Sequence, residues 1–97
     1  MSLRSSLKIR EQRREQRRLA NGRVRVRCSD PRAMEIEGRL LDISPSGFRM
    51  IHTCVSLVAG QTVEFSHPEA EGHARVMWNR VLAERVETGF FVIVPAQ

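Results

Sequence analysis

Between residues 22 and 28 the chain reads GRVRVRC, in which valines alternate with arginines. A period of two is typical of a β-strand that buries one face and exposes the other. The stretch AMEIEGRL at residues 33–40 alternates in the same way, with charged side chains on its outer face. The signal SDP at residues 29–31 predicts a turn between them. These stretches together favour an all-β fold.

Further strand patterns follow at intervals of roughly 8–12 residues, which is typical of small barrels and sandwiches. The additional predicted strands cover residues 48–53, 62–66, 73–80 and 89–94. We therefore expect six or so short antiparallel strands in a small barrel or sandwich. Only three residues follow Val94, so the sequence predicts no packed C-terminal helix.

The totals predict one domain in a reducing compartment. A chain of 97 residues can form one domain with one modest core. No apolar run approaches the roughly 20 residues of a membrane helix, and the N-terminus lacks the apolar region of a secretory signal. Two cysteines, Cys28 and Cys54, are too few for a disulfide framework. We expect a cytoplasmic protein.

Positive charge is concentrated in the first third of the chain. Residues 1–32 contain eleven Lys/Arg and three Asp/Glu, whereas residues 33–97 contain five and eight. The densest run is REQRREQRR at residues 10–18. A guanidinium is planar and always charged, so it can contact a phosphate or a guanine edge with two hydrogen bonds. The run predicts an anionic partner and a flexible basic segment at residues 1–21, ahead of a β-barrel domain at residues 22–97.

A second polar segment, DISPSG, occupies residues 42–47. Pro45 presets φ in a turn, and Gly47 supplies either a positive φ or space for a ligand. Considered alone, the segment is a turn in which Asp42 and Ser44 bond to local backbone. Considered together with the arginine run, the segment suggests a site for guanine, because guanine carries two acceptors that suit arginine and donors that suit a carboxylate. The two segments are together complementary to a guanine nucleotide.

The pair of segments resembles the signatures of the PilZ family. That family has an RxxxR motif before its first strand and a [D/N]xSxxG motif between two barrel strands. This chain has REQRR at residues 14–18 and DISPSG at residues 42–47, and its segments RVMW at 75–78 and TGFF at 88–91 are also similar to family stretches. The resemblance implies a six-stranded antiparallel barrel that binds the bacterial second messenger cyclic di-GMP and is not an enzyme.

The resemblance also implies which residues bind the ligand. Arg14 and Arg18 match the paired arginines, and Arg13 matches the preceding position, which influences whether one ligand or a stacked pair binds. The second motif is matched by Asp42, Ser44 and Gly47.

The register of the first motif stays open. Arg10/Arg14 and Arg13/Arg17 also fit RxxxR, and Arg14/Arg18 is preferred because an apolar residue, Leu19, follows it directly. Arg10 and Arg17 are therefore weaker candidates. Trp78 is a further weak candidate, because a lone tryptophan on a strand is more often a core residue than a stacking platform. The four phenylalanines are assigned to the core or its rim.

No other chemistry is predicted from the sequence. His52 and the two cysteines lack the paired spacing of a zinc site, and no nucleophile, base or carboxylate pair forms a catalytic set. We expect no metal and no cofactor besides the ligand. We expect no attached output domain, so the resemblance implies signalling through a partner protein of unknown identity. Membrane and nucleic acid are not expected partners.

Two alternatives remain open from the sequence. One is a small basic RNA-binding β-domain, whose arginine segment folds onto an RNA groove. The strands show no exposed aromatic pair that would stack on bases, and the chain beyond residue 32 is net acidic, which disfavours it. The other is a degenerate PilZ module that binds proteins without nucleotide.

Overall fold

Seven β-strands run through the residues that the computed structural model describes, 16–29 and 32–94. The strands are β1 (Arg18–Leu19), β2 (Arg23–Cys28), β3 (Met34–Ser44), β4 (Gly47–His52), β5 (Thr62–His67), β6 (Ala70–Leu82) and β7 (Arg85–Ile93). No helix occurs in this part of the chain, and hence none that could cross a membrane. The predicted all-β class is confirmed.

All neighbouring strands pair antiparallel, in the order β1-β3-β2-β5-β6-β7-β4. An additional antiparallel pairing between β3 and β4 joins the two ends of the sheet that β2–β7 form. These six strands therefore close into a barrel, and β1 is an extra strand on β3. The six-stranded antiparallel barrel predicted from the sequence is confirmed.

The barrel interior is filled by alternate residues of each strand, because successive side chains of a strand point to opposite faces. In β2, Val24 and Val26 are completely buried, whereas the arginines between and beside them are exposed. The ring of Phe48 stacks on Phe90 with centroids 4.7 Å apart. The core cluster comprises Val24, Val26, Ile36, Leu40, Phe48, Met50, Leu57, Val63, Phe65, Ala74, Val76 and Phe90.

The hairpin between β3 and β4 is tighter than the sequence predicted. We expected residues 42–47 to interrupt the sheet, but Asp42 and Ser44 belong to β3, and only Pro45 and Ser46 form the turn. Ser44 pairs with Gly47 directly across this turn. A two-residue connection is the commonest hairpin loop, so the motif consists of two strand ends and a minimal turn.

The β5–β6 and β6–β7 hairpins are also longer in strand and shorter in loop than predicted. The expected connection at residues 67–72 is a turn at Pro68 and Glu69 only, and β7 begins at Arg85 instead of residue 89. Charged residues at these strand ends, such as Glu71 and Arg85, are exposed on the outer barrel face. Charged side chains there do not interrupt pairing, because the backbone hydrogen bonds are independent of them.

β1 lies within the segment that was predicted to contain no packed element. Arg18 and Leu19 pair with Ile43 and Asp42 of β3, and the N–H of Ala20 donates to the carbonyl of Leu41 at 3.0 Å. The prediction is wrong for these two residues, because β3 extends past the start of β2 and offers backbone groups that need partners. Residues 1–15 lie outside the described part of the chain.

Candidate ligand-binding site

A bulge in β3 determines where the side chain of Asp42 points. Leu40 and Asp42 pair with consecutive residues of β4, so that Leu41 is an extra residue on β3. A bulge of this kind shifts the alternation of the strand by one residue. Asp42 therefore shares the outer face with its cross-strand partner Arg49, whereas Ile43 packs against the core cluster.

Two arginines hold the carboxylate of Asp42. Arg49 donates from Nε to Oδ2 at 2.9 Å and also from Nη2, and Arg17 donates from Nη1 to Oδ1 at 2.7 Å. Only 3% of Asp42 is exposed. The hydrogen bonds to Asp42 raise the pKa of the Arg49 guanidinium, because they stabilise its charged form. In this conformation both oxygens of Asp42 are engaged by arginine.

The ion pairs continue from Asp42 as a series of alternating charges. Arg49 donates from Nη1 to Oε2 of Glu87 at 2.5 Å, and Arg80 donates from Nη2 to Oε1 at 2.8 Å. We call the series Arg17–Asp42–Arg49–Glu87–Arg80 the arginine–carboxylate chain. Its carboxylates are buried, with 4% and 7% of their side chains exposed, whereas the arginines at its ends are exposed by 44% and 60%. Three cations therefore shield two buried anions.

The last three residues of the arginine-rich run, 16–18, and the β3–β4 hairpin line a common cleft of about 640 Å³. Its lining residues are Gln16, Arg17, Arg18, Ile43, Ser44 and Pro45. The Ser44 hydroxyl makes only a long hydrogen bond to the carbonyl of Gly47, at 3.4 Å. Two guanidinium groups and this hydroxyl are groups that can bond to phosphate oxygens. The cleft is therefore suited to an anionic ligand.

A second cleft, of about 510 Å³, lies on the opposite side, over β2 and β5. Its arginines already have carboxylate partners within the cleft, since Arg27 pairs with Glu64 at 2.8 Å and Arg25 with Glu35 at 3.3 Å. Glu35 and Glu64 themselves line this cleft, whereas no carboxylate of the described residues lines the cleft beside Ser44. Among the clefts lined by described residues, the one beside Ser44 is the better candidate for a dianionic ligand.

Arg18 points away from Asp42 and toward the turn between β5 and β6. Its guanidinium donates to both carboxylate oxygens of Glu69, to Oε2 at 3.2 Å. This hydrogen-bonded pair raises the pKa of Arg18 and lowers the pKa of Glu69. Both side chains are largely exposed, with 61% and 45% accessible, so water weakens the pair. A ligand phosphate can compete with Glu69 for Arg18.

The structure thus brings part of the predicted site together. Arg18 and Ser44 line the cleft, and Asp42 is linked to it through Arg17. Arg17 was a weaker candidate, yet it is the arginine among residues 16–18 that contacts Asp42. The preference for Arg14/Arg18 stays a prediction, because three predicted site residues lie outside the described part of the chain: Arg10, Arg13 and Arg14.

Gly47 allows two strands to approach each other closely. A Cβ atom on it would lie 1.9 Å from the carbonyl oxygen of Phe90 on β7. The N–H of Val92 donates to the carbonyl of Ser46 at 2.8 Å, which holds β7 against the hairpin. The glycine is therefore required by strand packing. The sequence predicted either a positive φ at Gly47 or space for a ligand beside it. Gly47 has no positive φ, and the space where a Cβ would lie is filled by the backbone of β7.

Trp78 lies on the outer face of β6, although a core position was the more probable prediction. A bulge at Met77 shifts the alternation of β6, and Trp78 pairs with Gly89 of β7. A Cβ atom on Gly89 would lie 2.4, 2.5 and 2.7 Å from three indole atoms, so the indole covers this glycine. In register across four strands lie Asp42, Arg49, Gly89 and Trp78.

The histidine and cysteines considered as metal ligands have other contacts. His52 accepts at Nδ1 from the N–H of Cys54 at 3.0 Å, and its Nε2 lies 2.7 Å from Oγ1 of Thr88. Burial lowers the pKa of His52, which favours its neutral form. Cys28 accepts from Gln61 Nε2 at 3.2 Å. Within residues 16–29 and 32–94, no three metal-ligating side chains come together.

Four charged residues of this region were not predicted from the sequence: Arg49, Glu69, Arg80 and Glu87. Two of them could have been found, since Arg49 in FRMI and Glu87 in VETGFF interrupt apolar strands and must face outward. Facing charges on adjacent strands form pairs. The pairing of β4 with β7 is non-local, however, and no sequence pattern specified it.

No protein-family model and no curated protein matches the chain. Its function is therefore inferred from its motifs and from the geometry of this site.

Proposed function

We propose that the chain is a receptor domain that binds cyclic di-GMP, as its resemblance to the PilZ family implies, and that it has no catalytic role. One observation supports this most strongly. β1 holds the end of the arginine-rich run, residues 16–18, beside the DISPSG hairpin, so that Arg17, Arg18 and Ser44 line one cleft. The described end of the arginine-rich run and the second motif, two dozen residues apart in sequence, are therefore neighbours in space.

The chemistry of the ligand matches these groups. Cyclic di-GMP carries two phosphates, which arginines bind by charge-assisted hydrogen bonds. Its guanines present N1–H and N2–H₂ donors, which a carboxylate accepts. Asp42 has one oxygen held by Arg17 and the other by Arg49. A guanine would replace Arg17 at Oδ1, while Arg49 keeps Asp42 in place through Oδ2.

Ligand binding would free Arg17 to contact a phosphate. Arg18 would exchange the exposed carboxylate of Glu69 for the ligand. Arg17 immediately precedes β1 and Arg18 belongs to it. Their contacts with the ligand would therefore draw the N-terminal segment over the cleft. The surface formed by that movement would be the signal to a partner protein.

One observation favours the degenerate PilZ module as a second candidate. Both oxygens of Asp42 already accept from arginine, so nucleotide binding must break an internal ion pair. If Arg17 stays on Asp42, the same fold would present a fixed surface to proteins and bind no nucleotide.

Calorimetric titration of cyclic di-GMP into the full chain distinguishes these candidates. We expect saturable binding by the wild type and affinity losses of about tenfold or more for Arg18→Ala and Asp42→Ala, since each removes a charge-assisted hydrogen bond. Arg27→Ala is the matched control, because Arg27 is paired with Glu64 on the opposite side of the barrel. Circular dichroism verifies that every variant is folded.

Two results would contradict the proposal. Absence of binding by the folded wild type rejects the receptor function and leaves the degenerate module. Equal affinity for cyclic di-AMP rejects the guanine-specific role of Asp42, because adenine lacks the N1–H and N2–H₂ donors.

A further inference from the structure

The turn between β5 and β6 contacts the segment around β1 at two points. The turn consists of Pro68 and Glu69. The guanidinium of Arg18 on β1 donates to both carboxylate oxygens of Glu69, a residue 51 positions away in the sequence. A Cβ atom on Gly22, between β1 and β2, would lie 2.4 Å from Cγ of Pro68, so the proline ring packs against that glycine. The β5–β6 turn therefore holds the chain on both sides of Leu19 and Ala20.

The β5–β6 turn is itself fixed to the barrel. The N–H of Glu69 donates to Nδ1 of His67 at 3.1 Å. The ring of His67 lies against the core, with its centroid 5.0 Å from that of Phe48 and 5.4 Å from that of Phe65. Because the backbone of Glu69 is already ordered in this way, little backbone entropy is lost when its carboxylate binds Arg18.

β1 has few contacts of its own that would fix the guanidinium of Arg18. The strand consists of two residues, which pair with the end of β3. Leu19 is 89% exposed, so β1 buries little apolar surface, and apolar burial is the main source of packing energy. The position of the Arg18 guanidinium is therefore set by its hydrogen bonds to Glu69.

Arg18 also lines the cleft beside Ser44. The two arginines of this cleft are both held by carboxylates, Arg17 by Asp42 and Arg18 by Glu69. The two pairs differ in burial, since 4% of the Asp42 side chain and 45% of the Glu69 side chain are exposed. Water weakens the second pair more, so Arg18 is released more readily. Its donors suit a phosphate as well as a carboxylate, and the two anions compete for them.

On the basis of the receptor function proposed above, we propose that Glu69 is an internal competitor that determines the affinity of the cleft for cyclic di-GMP. The ligand binds those conformers in which Arg18 has left Glu69. The apparent dissociation constant is then the intrinsic value divided by the fraction of chains in these conformers. Glu69 therefore raises the ligand concentration at which the receptor responds.

Glu69→Gln in the full chain tests this role. The amide keeps the size of the side chain and the backbone N–H that donates to His67, but it removes the charge that holds Arg18. Exposed ion pairs are weak, so calorimetric titration should show an increase in cyclic di-GMP affinity of about two- to fivefold. Glu71→Gln is the matched control. It removes the same charge from the same hairpin, but Glu71 lines the cleft over β2 and β5, and its affinity should equal that of the wild type.

A double-mutant cycle shows whether Glu69 acts through Arg18. In an Arg18→Ala background the carboxylate has no guanidinium to hold, so Glu69→Gln should leave the affinity of that background unchanged. A gain of the same size as in the wild-type background would overturn the proposal, because Glu69 would then repel the ligand directly.

A measurement without ligand tests the contact between Glu69 and Arg18. Trypsin must take an arginine side chain into its own specificity pocket, so Glu69 should slow cleavage of the Arg18–Leu19 bond. When release is fast relative to cleavage, the cleavage rate follows the population of the released state. We expect cleavage at this bond to be about two- to fivefold faster in Glu69→Gln and unchanged in Glu71→Gln. Mass spectrometry identifies the fragment.

The failure of this proposal differs from that of the receptor function. If the wild type binds cyclic di-GMP but Glu69→Gln binds it equally or more weakly, the competitor role is overturned and the receptor function stands. An equal gain in Glu71→Gln would attribute the effect to net charge and overturn the role as well. Absence of binding by both the wild type and Glu69→Gln would reject the receptor function itself. An unchanged trypsin rate in Glu69→Gln would show, with or without ligand binding, that Glu69 does not hold Arg18.

Discussion

Arginine–carboxylate pairs lie on two sides of the barrel and differ in burial. On the β2–β3–β5 side, Arg25 pairs with Glu35 and Arg27 with Glu64, and all four side chains are between 51% and 64% exposed. In the arginine–carboxylate chain on the β3–β4–β7 side, the carboxylates are 4% and 7% exposed. The residue types are the same on both sides, and so is their outward position.

The difference shows that an outward position on a strand is not always a solvated one. On the first side the pairs are exposed to solvent, and exposed pairs of this kind contribute about 0–1 kcal/mol to stability. On the second side three arginines pair with the two buried carboxylates. A carboxylate buried in this way must be paired, because an unpaired charge away from water is costly.

The largest expected effect of this difference is on Arg49. Arg49→Ala removes the cation shared by Asp42 and Glu87, so the free energy of unfolding should fall by about 3 kcal/mol, the lower end of the range for a broken buried pair. Arg25→Ala on the exposed side should cost at most about 1 kcal/mol. Urea denaturation of both variants measures the two values. Equal losses in the two variants would show that burial of the carboxylates does not determine how much the ion pairs stabilise the fold.

A smaller effect is expected from His52, a buried polar residue inside the barrel. Its Nε2 donates to Thr88, whose hydroxyl donates to Asn79 at 2.6 Å. Because burial lowers the pKa of His52, the unfolded chain binds a proton at higher pH than the folded chain does. The free energy of unfolding should therefore not be reduced by His52 above about pH 6.5, the ordinary histidine pKa. It should decrease as the pH falls below that value.

His52→Gln tests this expectation. The variant should lose about 1–2 kcal/mol near neutral pH through the hydrogen bond to Thr88. Its stability should also depend less steeply on pH between about 7.5 and 5.5 than that of the wild type. Some slope should remain, because burial lowers the pKa of His67 as well. An unchanged slope, measured by urea denaturation across this range, would argue against His52 as its source.

The smallest effect should be the coupling within an exposed pair. A double-mutant cycle on Arg27 and Glu64 should give about 0.2–1 kcal/mol, decreasing as salt is added. The same cycle on Arg80 and Glu87 should give a larger and less salt-sensitive value, because Glu87 is buried. Denaturation at low and high salt provides both values. A stronger coupling for Arg27 and Glu64 would reverse the ordering of the two sides.

Most of the fold could be predicted from the sequence, since alternation identifies strands wherever one face is buried. GRVRVRC is such a case, and its two valines are fully buried. The predictions failed where alternation shifts. Leu41 and Met77 are extra residues in bulges, and each moves the following side chain to the other face. For this reason Asp42 was predicted at a strand end and Trp78 in the core.

The candidate site could be predicted only in part. The motifs identified Asp42 and Ser44, because their residue types and spacing are local features. Arg49 and Glu87 were missed, because they meet only through the pairing of β4 with β7. β1 was missed for a related reason. A two-residue strand has no periodicity of its own and forms because β3 offers it backbone partners.

β1 also protects the barrel against association. Closure of six strands leaves no free edge among them, but the end of β3 at residues 41–44 extends past β2, and β1 covers it. An uncovered strand edge is a template on which the strand of another chain can add. Any displacement of β1 from β3 would make this edge available for β-augmentation. A ligand that holds the N-terminal segment over the cleft would keep the edge covered and so disfavour self-assembly.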